Sequence, residues 1–100
     1  MRKRLIEELK KMQNKYRDKE KYEVMNLVID DVFQIVNKFD SYERIQEEMC
    51  DKIKEIKNKS PHLSRFPDKY EYCMLKIKSK FHNIKGNLKT LEVMKNETLA

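Results

Sequence analysis

What this chain of 100 residues has least of is punctuation: one Gly, two Pro and no Trp. Sheets and turn-rich loops draw on Gly, Pro and Asn-Gly steps far more often than this, so the scarcity argues for long uninterrupted helices. Catalytic loops draw on the same residues, because a nucleophile and its oxyanion-binding backbone are usually set on Gly-bearing turns, and phosphate cradles are Gly-rich. A single Gly supplies neither setting, so no enzyme and no cofactor are expected. Nor is there a run of apolar residues long enough to span a bilayer, which takes roughly 18 or more. The basic start Met1 to Arg4 runs into Leu5, Ile6, Glu7 and Glu8 instead of the apolar segment of a secretory signal. The expectation is a cytoplasmic chain with no membrane partner.

Metal-ligating residues are equally sparse. Cys50, Cys73, His62 and His82 are zinc-compatible by type, yet none has a partner at the spacing of about two to five residues that pins structural zinc sites. Free core cysteines and surface histidines are expected, with no metal. Asp30 and Asp31 are adjacent carboxylates, but helix neighbours point ~100° apart and share neither proton nor metal, so they read as a solvated polar face.

Charge is what the chain has in abundance: 40% of its residues are charged against 39% hydrophobic, with a mean hydropathy of −0.92. The balance lies on the polar side of globular, so residue pattern must decide the fold. The net charge of +6 is uneven. Residues 1–21 hold 9 basic and 4 acidic side chains, residues 22–60 hold 6 and 9, and residues 61–100 hold 8 and 4. Basic ends and an acidic middle can steer an acidic partner or nucleic acid, and can equally draw antiparallel helices together within the fold or across a dimer.

Four helices follow from the apolar spacing. Leu5, Leu9, Met12 and Tyr16, with Ile6, form one stripe over residues 2–16. Residues 20–39 gather Tyr22, Val24, Met25, Val28, Ile29, Val32, Phe33, Ile35, Val36 and Phe39 into an arc about 180° wide, with Leu27 alone outside it. This segment is expected to organise the core. The two stripes would oppose each other on one continuous helix, which favours a turn near Asn14 to Asp18 with Asp18 as N-cap; a continuous helix serving an oligomer is the other solution.

Residues 41–58 carry the narrow stripe Tyr42, Ile45, Met49, Ile53 and Ile56. Asp40 or Ser41 can cap this helix, and Asp40 with Glu43 has capping-box spacing. Arg44 to Glu48, Glu48 to Lys52 and Glu55 to Lys59 are available as i,i+4 pairs. Pro61 and Pro67 bound the one loop-like stretch, and Pro67 suits the first turn of a last helix over residues 67–95. Gly86 falls at an exposed position without breaking that helix's phase, so one long helix is favoured over a kink. The whole reads as an all-α single domain over residues 1–100: a small bundle of about four helices with a long, heptad-patterned C-terminal helix.

Two features of the last helix suit recognition. Tyr70, Met74, Ile77, Phe81, Ile84, Leu88 and Leu91 alternate at four and three residues, a heptad seam that serves as the inner face of a bundle or as a self-association surface for a homodimer. Lys78, His82, Lys85 and Lys89 form a basic ridge along one flank. With Arg2, Lys3, Arg4, Lys10 and Lys11, the ridge could meet phosphates in a salt-dependent, low-specificity way; its alternative is an ordinary solvated lysine face. The function expected from the residues is that of a small helical interaction protein, such as an adaptor, inhibitor or accessory factor, presenting a helical face to a protein partner. The alternative is a basic nucleic-acid-associated protein.

Overall fold

The computed structural model describes residues 2–59 and 65–99, and the side chains of 2–59 and 65–87. Helix α1 spans Arg2–Tyr16, α2 Glu23–Lys38 after a short 3-10 turn at Glu20–Tyr22, α3 Tyr42–Lys59 and α4 Phe66–Leu99. These four antiparallel helices form an all-α bundle, and none is long and apolar enough to cross a membrane among the described residues.

The expected stripes face one another in the core. Leu5, Leu9, Met12 and Tyr16 of α1 meet Met25, Val28, Ile29, Val32 and Val36 of α2, Ile45, Met49 and Ile53 of α3, and Tyr70, Met74, Ile77 and Phe81 of α4. Each such side chain contributes roughly 1.5–3 kcal/mol when fully buried, so the shared core dominates the local terms. Leu27, outside the α2 arc on the wheel, is indeed left 42% exposed.

The junctions differ from expectation in instructive ways. Asp18 is not an N-cap: its φ of 59° places it in the left-handed region, just past the last residue of α1, where it stops the helix and turns the chain. Asp tolerates this conformation better than most residues, and a left-handed residue is a common helix terminator. The Asn26 amide then donates to the Tyr16 carbonyl at 2.9 Å, satisfying one orphan acceptor at the end of α1.

At the next junction Ser41 caps α3, accepting the Arg44 backbone N–H at 3.3 Å and donating to Glu43 Oε2 at 3.1 Å. Asp40 makes no capping box because Arg2 Nη1 binds its carboxylate at 2.6 Å. The other guanidinium nitrogen of Arg2 donates to the Asn37 carbonyl, also at 2.6 Å, which fastens the start of α1 to the end of α2. Of the expected i,i+4 pairs on α3, Arg44–Glu48 and Glu55–Lys59 form, at 2.9 and 2.8 Å, whereas Lys52 turns to Glu55 at 3.8 Å.

α4 passes through Gly86 without interruption. A Cβ added there would meet nothing within 4 Å. Three cross-links fix its register on α3: Lys57 to Glu71, Cys50 to Lys78 and Glu43 to Lys85, each stepping seven residues along both helices in opposite directions. That register sets Tyr42 level with Gly86. The Glu8–Lys80 contact places the start of α1 at the same level. The backbone of α4 therefore continues past the end of the bundle for about 20 Å, at ~1.5 Å per residue, in keeping with a longest dimension of 58 Å against 27 and 20 Å across.

Candidate functional site

The seam of α4 is turned inward wherever it is described. Tyr70, Met74, Ile77 and Phe81 are fully buried and Ile84 packs against the same core, while Leu88 and Leu91 lie outside the described side chains. The chain's own helices thus cover the first five seam positions.

The ridge is divided in the same way. Lys78 Nζ lies 2.7 Å from the half-buried Cys50 sulfur. Lys85 Nζ binds Glu43 at 3.0 Å and sits 4.3 Å over the Tyr42 ring. The salt link and hydrogen bonds, with Lys85 first, hold the Glu43 carboxyl below the usual range. His82 is exposed between them, and the Lys89 side chain lies outside those described. Two of the four ridge residues are therefore helix-to-helix links, because this flank of α4 faces acid-bearing α3 and not open water.

Asp31 is also more than part of a solvated face. Its Oδ2 accepts the Tyr70 hydroxyl at 2.6 Å, pairing a phenol whose residue is wholly buried. Burial, followed by the neighbouring carboxylate, pushes the Tyr70 phenol well above its ordinary range. Asp30, one residue back, remains exposed, as neighbours ~100° apart on a helix must diverge. Both cysteines are free, and burial raises the Cys73 thiol. Among the described residues no three His, Cys, Asp or Glu side chains converge on one point; His62 lies outside them.

Unpartnered positive charge collects elsewhere. On α3, Arg44, Lys52, Lys57 and Lys59 all face carboxylates, Lys54 being the exception. On α1 the acids are few: Glu8 faces Lys80 at 3.5 Å and Glu7 faces Arg4 at 3.9 Å. Among the described residues, Lys3, Lys10 and Lys11 of α1 and Lys69 and Lys76 of α4 are exposed with no ion-pair partner. Of the basic residues around the N-terminus, Arg2 is held inside the fold while Lys3, Lys10 and Lys11 are available.

Where the C-terminal end of α1, the 3-10 turn, the first turn of α2 and the first turns of α4 meet, the surface opens into a groove of about 490 Å³. Tyr16, Tyr22, Val24, Met25, Tyr72 and Cys73 line it. Tyr16 and Tyr22 stack tilted, with centroids 4.5 Å apart, so one aromatic wall is fixed. Tyr72 is 67% exposed, and Leu75, one turn further along α4, is 49% exposed. This groove escapes sequence reasoning because it joins residues from four elements, α1, the 3-10 turn, the first turn of α2 and α4; the only signal was that Tyr72 and Leu75 fall off the heptad seam. Comparison with family models, curated proteins and solved structures finds no match for the chain.

Proposed function

We propose that this chain is a small non-enzymatic helical interaction protein that meets an acidic protein partner through the exposed lysines of α1 and α4. The observation that supports this reading is the uneven pairing of charge: Arg44, Lys52, Lys57 and Lys59 of α3 and Lys85 of α4 face carboxylates within the fold, whereas Lys3, Lys10, Lys11, Lys69 and Lys76 are exposed without ion-pair partners among the described residues. Such a field accelerates encounter with an oppositely charged surface and selects against basic ones. A sequence-tolerant nucleic-acid contact through the same lysines is the second reading, since phosphates are met by cations in the same way.

The test is affinity capture from a nuclease-treated lysate, using wild type and the Lys10→Glu/Lys11→Glu double variant as baits. The expected result is a stoichiometric protein retained by wild type, lost with the variant and released by raised salt. Retention of no protein, together with tight binding of a duplex oligonucleotide at physiological salt, would replace this reading with the nucleic-acid one.

A further inference from the structure

We infer that Cys50 and Lys78 form a peroxide-responsive modification site, in which oxidation of the thiol leads to a covalent sulfur–nitrogen bond between α3 and α4.

Three straps join these helices in one register, and the middle one differs from its neighbours. Lys57 and Lys85 hold the carboxylates of Glu71 and Glu43, whereas Lys78 holds the Cys50 sulfur and enters no ion pair among the described residues. A carboxylate in such a strap is chemically inert. A cysteine there sets a nucleophilic sulfur beside an amine, and the thiolate is the form that peroxides oxidise. The Lys78 nitrogen lies 2.7 Å from the sulfur, inside the ~3–3.5 Å separation at which two groups are poised to react. Cys50 is free and only half-buried, so the sulfur is not sealed from an oxidant as small as hydrogen peroxide.

A second observation at the same place points to an oxygen on that sulfur. The amide nitrogen of Gln46 is buried and has no hydrogen-bond acceptor. Gln46 stands one turn before Cys50 on α3, and Cα–Cβ bonds in a helix tilt toward its N-terminus, so the Cys50 side chain leans toward the turn that bears this orphaned donor. A sulfenic oxygen on Cys50 supplies the missing acceptor.

The chemistry balances with one hydroperoxide as the oxidant. The Cys50 sulfur attacks a peroxide oxygen and the O–O bond breaks, so sulfur is oxidised to the sulfenic acid, peroxide is reduced and water leaves. Lys78 releases one proton to solvent and its nitrogen attacks the sulfur. The S–O bond breaks, and the departing hydroxide takes a second proton from nitrogen and leaves as water. Thiol, amine and peroxide thus become one S–N bond and two waters. Sulfenic acids undergo this condensation with nitrogen nucleophiles, and a thiol reductant reverses it by attacking sulfur and releasing the amine. Cys73 is the internal contrast: it is buried, and burial raises its thiol, so it should react more slowly.

The experiment treats the full chain with hydrogen peroxide, blocks the remaining thiols with N-ethylmaleimide and maps tryptic peptides by mass spectrometry. The expected product is peptide 45–52 joined to peptide 77–80, uncut after Lys78 and lighter by two hydrogens than the two peptides together. Dithiothreitol should separate them, and the oxidised chain should melt above the reduced one. Lys78→Arg keeps the charge but offers no amine, so it should give a sulfenic acid that dimedone traps, no linked peptide and no rise in melting temperature. Cys73→Ser should link as wild type does. Sulfenic, sulfinic or sulfonic acid at Cys50 without a linked peptide, a Cys50–Cys73 disulfide, attachment to a lysine other than Lys78, or no reaction at Cys50 overturns the inference. The linked peptide is read in the wild-type chain, so the outcome does not depend on how the variants fold.

Discussion

The two flanks of α4 are built from the same residue types and end up with opposite roles. On one flank Glu71, Lys78 and Lys85 reach α3 at seven-residue intervals and lace the two helices in a single antiparallel register. On the other, Lys69, Tyr72 and Lys76 border an open groove, and neither lysine is in an ion pair among the described residues. The difference comes from the neighbours. α3 is rich in acids at its surface, whereas α1 offers only Glu7 and Glu8. A lysine on α4 is a structural strap or a free charge according to which helix lies beside it.

Both flanks hang on the same buried stripe, so the largest effect should come from breaking that stripe. Phe81 is fully buried between them, and Phe81→Ala is expected to cost about 3–5 kcal/mol, since large-to-small core changes lose transfer energy and leave a cavity. Urea unfolding followed by circular dichroism checks it. A loss below about 1 kcal/mol would mean that α4 is held by its straps and not by its core.

The next effect probes the polar contact between α2 and α4. Asp31→Ala leaves the buried Tyr70 hydroxyl without its acceptor and should cost about 1–3 kcal/mol, whereas Tyr70→Phe removes donor and demand together and should cost less. The sign of the pH dependence follows from the raised phenol. The unfolded chain ionises Tyr70 near the ordinary value of 10.0 while the folded chain keeps it neutral, so its contribution is complete below that pH and is lost as pH rises beyond it. The alkaline fall in stability should be shallower in Tyr70→Phe than in wild type.

The stripes themselves were plain in the sequence, because helical periodicity is a property of one segment at a time. Leu5 to Tyr16, Val28 to Val36 and Tyr70 to Phe81 all sit where their spacing puts them. What spacing does not carry is the identity of the facing helix, and the misplaced expectations for Lys78, Lys85 and Asp31 have that origin. Lys78 and Lys85 are on one flank, as their spacing says, but their partners Cys50 and Glu43 lie 28 and 42 residues away. Asp31 reads as solvated until Tyr70 arrives from 39 residues downstream. Asp18 fits an N-cap by residue type, and its left-handed backbone shows that the same short acid ends a helix equally well. The groove is the extreme case, since none of its four contributing elements shows it alone.

A smaller effect tests the level at which both flanks end. Gly86 is helical, has a negative φ and has open space where a side chain would go. Gly86→Ala should therefore stabilise the protein by about 0.5–1 kcal/mol, through the helix preference of Ala over Gly. A destabilised variant would show that the helix breathes at this point, beyond the last strap at Lys85.

The smallest effect bears most directly on the contrast between the flanks. Lys85→Gln removes a link to Glu43 and a cation from the Tyr42 ring, so it should lower the melting temperature slightly, and more in low salt than in high salt, where surface charge is screened. Lys76→Gln removes a charge with no ion-pair partner among the described residues and should leave the melting temperature unchanged while weakening capture of the acidic partner. A matched pair of melts with and without 0.5 M salt, alongside capture with the two variant baits, reads both quantities. If Lys85→Gln weakened capture as much as Lys76→Gln does, the division of α4 into a structural and a recognising flank would fail, because a long-range field, and not a local contact, would then be holding the partner.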